Sequence, residues 1–190
     1  MLTDFQKRKI ANLFTVHDLN HDGAIERSDY VEYAQRLAAE SGVGQGSSKY
    51  EELMSRFLGF WEMLRQAADR NHDSRITMRE WFALFDQLLS TPDSARKMQP
   101  IGEAVFSMLD RNGDGNVTLD EYQWLYSSGA LDPKLAADSF KRLDTDHDGR
   151  ISLQELTARL FEFFTSNDPD SPGTWLFGPV VPAAERQMAN

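Results

Sequence analysis

The chain contains no cysteine. This excludes a disulfide scaffold, thiol catalysis, iron–sulfur clusters and cysteine-built zinc sites, and it is compatible with a reducing compartment. Long hydrophobic runs are also missing. No stretch approaches the roughly 18 apolar residues at which a membrane-spanning helix becomes a candidate, and Met1–Lys7 opens no secretory core region. Basic residues are in short supply: 20 Lys and Arg face 30 Asp and Glu, for a formal charge of −10. Such a surface repels phosphate backbones and anionic headgroups, which argues against nucleic acid or bare membrane as a partner. There are four histidines, and no pair has the H-E-x-x-H spacing of a metalloprotease helix. A nucleophile elbow and a phosphate-binding glycine loop are both absent, so nothing points to an enzyme. What remains is 190 residues, 41% hydrophobic and 11% aromatic, enough to pack one domain or two small lobes sharing a core. The expectation is a soluble, monomeric, cytoplasmic protein.

The chain repeats itself. Four twelve-residue stretches share one layout: DLNHDGAIERSD from Asp18, DRNHDSRITMRE from Asp69, DRNGDGNVTLDE from Asp110 and DTDHDGRISLQE from Asp144. Each has Asp at position 1, Asn or Asp at 3, Asp at 5, an aliphatic residue at 8 and a carboxylate at 12. The flanking segments carry apolar stripes at a period near 3.6, such as Leu53, Phe57, Trp61 and Leu64 before the second loop, and Leu156, Leu160 and Phe163 after the fourth. No segment of comparable length alternates as a strand. The spacing predicts an all-α fold of eight helices flanking four loops. The run from Ser41 to Ser48 is a flexible break, Pro92 and Pro100 are expected to bracket the joint between halves, and Asp132-Pro133 has the form of a helix start. This divides the chain into an N-terminal pair over 1–91, a C-terminal pair over 92–166 and a tail over 167–190.

The loop layout suits a hard cation. Ca²⁺ takes about six to eight oxygens at about 2.3–2.6 Å, and a loop offering side chains at 1, 3 and 5, a carbonyl at 7 and a carboxylate at 12 can surround it. Glycine at 6 permits the sharp turn, and the aliphatic residue at 8 can pair with its counterpart in a partner loop. This is the EF-hand pattern. A single Asp/Asn/Gly cluster is usually only a turn. Turn chemistry does not, however, demand a carboxylate at position 12 four times over.

The third loop offers Asp110, Asn112, Asp114, the Asn116 carbonyl and Glu121, and the fourth Asp144, Asp146, Asp148, the Arg150 carbonyl and Glu155. Thr118 and Ser152 stand at position 9, which often acts through water. The first loop offers Asp18, Asn20, Asp22, the Ala24 carbonyl and Asp29, with Glu26 able to add charge. Asp29 is a methylene short of the usual Glu, which makes bidentate contact harder and brings Mg²⁺ into contention. The second loop offers Asp69, Asn71, Asp73, the Arg75 carbonyl and Glu80, but carries Ser74 in place of glycine. The expected load is three to four Ca²⁺ per chain.

His21, His72 and His147 occupy position 4 and are expected to face solvent, while His17 precedes the first loop. The aromatic set Phe57, Phe60, Trp61, Trp81, Phe82 and Phe85 reads as core, with an apolar-ligand cavity as the minority alternative. In the tail, Trp175, Leu176 and Phe177, with Val180 and Val181 beyond, are too apolar to stay in water and are expected to fold back on the helices, with Ala183 to Asn190 frayed.

Four such loops, a long first pair, a degenerate second loop and a Trp175-Leu176-Phe177-Gly178 tail after a Phe-rich helix resemble the sarcoplasmic calcium-binding protein family, and within it the bacterial members of the calerythrin type. The resemblance implies two EF-hand lobes packed into one compact unit and a calcium buffer or transporter, with a sensor that binds a target protein as the alternative. A photoprotein or luciferin binder has a related fold, but photoprotein chemistry needs a histidine from the C-terminal region, and none follows His147.

Overall fold

The computed structural model of the chain describes residues 1–128, 131–178 and 180. Among them the order is α1 (Asp4–His17), β1 (Ala24–Glu26), α2 (Arg27–Glu40), α3 (Ser48–Ala68), β2 (Arg75–Thr77), α4 (Met78–Leu89), α5 (Ser94–Leu109), β3 (Asn116–Val117), α6 (Leu119–Ser128), α7 (Ala136–Leu143), β4 (Ile151–Ser152) and α8 (Leu153–Thr165). Local chemistry sets the ends. Thr3 and Gln6 form a reciprocal capping box on α1, and the Ser47 hydroxyl, closing the Ser41–Ser48 break, accepts the Tyr50 amide to start α3. Asp132 caps Lys134 at 3.0 Å, and Pro133 opens a short 3₁₀ turn that runs into α7.

The strands are the midpoints of the four loops. β1 pairs antiparallel with β2 through Ile25 opposite Ile76, and β3 with β4 through Val117 opposite Ile151. All four aliphatic side chains are fully buried. Each loop pair therefore hangs from its helices at one buried cross-strand contact. The core does not stop at the boundary between pairs. Phe85 of α4 stacks on Phe164 of α8 with centroids 4.4 Å apart, and Phe57 of α3 meets Trp124 of α6 edge-on at 5.7 Å.

Pro100 corrects the expected joint. It lies inside α5, which runs unbroken from Ser94. Proline removes one helical hydrogen bond, but α5 buries Met98, Gly102, Phe106 and Leu109 along its length, and packing outweighs the local penalty. Gly102 lets α5 approach α8 closely: a Cβ there would stand 2.8 Å from Thr157 Oγ1.

The two ends of the described chain interlock. Gln6 Nε2 donates to the carbonyls of Phe164 and Thr165 at 3.1 and 3.2 Å, and Lys9 Nζ donates to that of Ser166 at 2.8 Å. Thus α1 satisfies the open carbonyls at the C-terminus of α8. Beyond it, a 3₁₀ turn (Pro172–Trp175) lies against α7 and α8. Leu176 is buried and its carbonyl accepts the Tyr122 hydroxyl at 2.7 Å. Phe177 meets Phe163 edge-on, and the Arg142 guanidinium lies 4.0 Å over the Trp175 ring. Val180 is half-buried. Val181 and the Ala183–Asn190 segment lie outside the described residues. No helix among those described is long and apolar enough to cross a membrane.

Candidate metal centres

Each loop is wound around its own carboxylates. In the first, the Asp18 oxygens accept the amides of Asp22 and Gly23 at 3.1 and 3.0 Å, Asn20 accepts Asp22 at 2.9 Å, and Asp22 accepts Ala24 at 3.0 Å. The third and fourth loops repeat this pattern through Asp110, Asn112 and Asp114, and through Asp144, Asp146 and Asp148. The second repeats it through Asp69, Asn71 and Asp73 with one bond missing: Asp69 Oδ1 is buried and has no partner. Amides thus turn the side chains at positions 1, 3 and 5 toward one centre. Carboxylate oxygens of Asp144, Asp146 and Asp148 lie within 4.8 Å of one another. Ligands opposed across one Ca²⁺ would be at most about 5 Å apart, so an all-oxygen divalent site fits this spacing, and a bound cation would satisfy the orphaned oxygen of Asp69.

Position 12 closes each ring. One oxygen of Glu80, Glu121 and Glu155 accepts an amide near the loop start, and the other accepts both the amide and the hydroxyl of position 9. Those hydroxyls are Thr77, Thr118 and Ser152, at 2.7, 2.8 and 2.9 Å. Burial raises the Glu155 pKa, but these bonds outweigh it and hold the group down at about 2; Glu80 is lowered by the same balance. The first loop departs from this. Asp29 is fully buried, accepting the Leu19, Asn20 and Glu26 amides but no hydroxyl, because position 9 is Glu26. Burial raises the Asp29 pKa, and the nearby Asp18 charge adds to it.

The backbone shows one feature that the motif announces and one that it does not. Ser74 adopts φ 64°, the left-handed region that glycine fills in the other three loops. Position 4 is left-handed as well: His21, His72 and His147 have φ of 56°, 60° and 60°, matching Gly113 at 73° in the third loop. Those three imidazoles are exposed. The signal for this was Gly113, whose place in the alignment of the loops marks a turn. The side chain of Arg75 was also not foreseen. Its Nε reaches Glu26 Oε1 at 2.9 Å, directly across the strands, and its Nη2 stands 3.7 Å from Asp22 Oδ1.

His17, which precedes the first loop, pairs with a core hydroxyl. It accepts or donates a hydrogen bond with the Tyr30 hydroxyl at 2.8 Å, and burial pulls its pKa down to about 4. It lines an apolar cavity of about 70 Å³ where both pairs meet, with Tyr30, Phe57, Trp81, Trp124 and Phe164. Of the aromatic set, Phe57, Phe60, Trp81 and Phe85 line this space, while Trp61 and Phe82 do not.

Models of the EF-hand domain pair match residues 98–160 and 1–37. Calerythrin of Saccharopolyspora erythraea is 28% identical over 167 residues, covering 86% of this chain and 94% of that protein. A solved calcium-binding protein of Streptomyces coelicolor, one of prokaryotic calcium-mediated regulation, is 31% identical with a TM-score of 0.67, covering 84% of this chain and 98% of its own. The coelenterazine-binding protein of Renilla muelleri shares the fold at a TM-score of 0.79 and 23% identity, over 94% and 99% of the two chains. With four oxygen-lined loops in two strand-linked pairs, and relatives that cover most of it, the chain belongs to the EF-hand calcium-binding proteins, in the group of calerythrin and the sarcoplasmic calcium-binding proteins.

Proposed function

We propose that the chain is a monomeric, non-enzymatic calcium buffer or transporter of the cytoplasm, loading three to four ions. The ligands are the side chains at positions 1, 3, 5 and 12 of each loop and the carbonyls of Ala24, Arg75, Asn116 and Arg150, with Mg²⁺ a competitor at the first loop. The halves 1–91 and 92–166 act as two loading pairs. The observation that carries a buffer over a sensor is the filled groove of the C-terminal pair. Leu176 and Phe177 pack against Tyr122 of α6 and Phe163 of α8, and the Tyr122 hydroxyl holds the Leu176 carbonyl there. A sensor needs an apolar groove that opens on loading. Native mass spectrometry during a calcium titration tests the load: three or four ions per chain are expected, and a count of two would remove the first pair from this reading.

The Streptomyces coelicolor relative favours the second reading, a calcium sensor with a protein target. In that case calcium would release the tail and dye binding would rise with loading. The kinship with a coelenterazine-binding protein carries less weight. The cavity of about 70 Å³ is well below the roughly 300–1,000 Å³ of ordinary small-molecule pockets. No visible absorbance is expected after incubation with coelenterazine.

A further inference from the structure

Arg75 serves two loops at once. Its carbonyl stands at position 7 of the second loop, while its side chain crosses the two-stranded ribbon and takes hold of the first. There it meets Glu26 at position 9 at 2.9 Å and approaches Asp22 at position 5 at 3.7 Å. Both are carboxylates of the first loop, and Asp22 stands at one of its ligand positions. The C-terminal pair provides a comparison within the same chain. Arg150 holds the matching place in the fourth loop, yet position 9 of the third loop is Thr118, whose hydroxyl is given to Glu121. Arg150 makes no ion pair among the described residues. The difference therefore follows from one residue, Glu26, which gives the guanidinium an anchor beside Asp22.

We propose that Arg75 is a tethered counter-ion of the first loop, and that it lowers that loop's affinity for a divalent cation. The inference rests on the reading above, that the first loop takes an ion. Four carboxylates belong to this loop: Asp18, Asp22, Glu26 and Asp29. A guanidinium paired with one and close to a second offsets part of the charge that attracts the metal, and it repels an ion seated among them. A charge of +2 and one of +1 roughly 6 Å apart in a water-like dielectric change a binding constant by on the order of tenfold. Both groups of the pair are partly open to solvent, so salt screens the effect. The first loop is thereby set to fill after the C-terminal pair, and its filling pushes on a residue whose backbone belongs to the second loop.

The test is a calcium titration of the full chain followed by amide NMR at Gly23, whose N–H donates to Asp18 inside the first loop. Arg75→Gln is expected to bring half-saturation at Gly23 to several-fold lower calcium at low ionic strength, with a smaller shift in about 1 M salt, where the Debye length is about 3 Å. Arg75→Lys, which keeps the charge, should stay near the parent value. Arg150→Gln should move Gly115 of the third loop less than Arg75→Gln moves Gly23. Equal half-saturation at Gly23 in the parent and Arg75→Gln chains would overturn the inference alone. A Gly23 amide that never responds to calcium in the parent would remove the ion from the first loop, and the inference with it.

Discussion

At the scale of single residues, Ser74 and Lys9 are each held in a state their type resists. A non-glycine residue in the left-handed region costs on the order of 1 kcal/mol. Ser74→Gly should therefore stabilise the chain by about 1 kcal/mol, read as a shift in denaturant midpoint; no shift would mean that the loop absorbs the strain elsewhere. Lys9 is fully buried, between the Phe5 and Phe163 rings at 5.1 and 5.3 Å and against the Ser166 carbonyl. Burial lowers its pKa from 10.5 to about 8, with the Glu162 charge pulling the other way. Between these values the unfolded chain holds a proton that the folded chain has given up, so stability rises with pH across the window. The full effect is on the order of 3 kcal/mol. Urea midpoints of the parent and of Lys9→Met at pH 7.5 and 10 give the comparison. The parent should gain on the variant as pH rises, and parallel profiles would contradict the buried, depressed amine.

At the scale of elements, the tail segment is positioned by a glycine. A Cβ on Gly173 would come 2.5 Å from the Arg159 carbonyl oxygen, and the Gly173 amide donates to Glu162 at 2.8 Å. Gly173→Ala should cost about 1–3 kcal/mol, as overpacking generally does, and should raise the binding of an apolar dye. Truncation after Ser166 should raise it further by uncovering Tyr122 and Phe163. Unchanged dye binding in both variants would mean that the segment covers nothing. The elements also show what was legible beforehand. Twelve-residue spacing, with carboxylates at 1, 5 and 12, located all four loops because coordination leaves little freedom in position. Apolar stripes located the helices because each helix must turn one face to the core. Pro100 misled because a proline rule is local, whereas α5 is held by its long contact with α8. The burial of Lys9 was not legible, because it depends on residues more than 150 positions away. Arg75 was read only for its carbonyl, since sequence gives the register of a ligand loop but not where a long side chain crosses to its partner.

For the whole molecule, charge and ion load are linked. Four divalent ions would cancel eight of the ten net negative charges, and the carboxylates they separate repel one another. At a hundredfold excess over Kd each site adds about 2.7 kcal/mol. Two sites alone should raise the melting temperature by about 10–20 °C in a chain of this size. Differential scanning fluorimetry in calcium and in chelator measures this, and superimposed melting curves would be incompatible with ions lodged in the loops.

The clasp between α1 and α8 has a consequence for how the protein is made. The first helix leaves the ribosome long before the carbonyls of Phe164, Thr165 and Ser166 exist. During synthesis Gln6 and Lys9 have no partners at the far end of the chain, and the amine remains in water. The N-terminal loops can wind early, since their contacts are local, but the nascent protein cannot reach its final form until the eighth helix has emerged and its end meets the beginning of the chain.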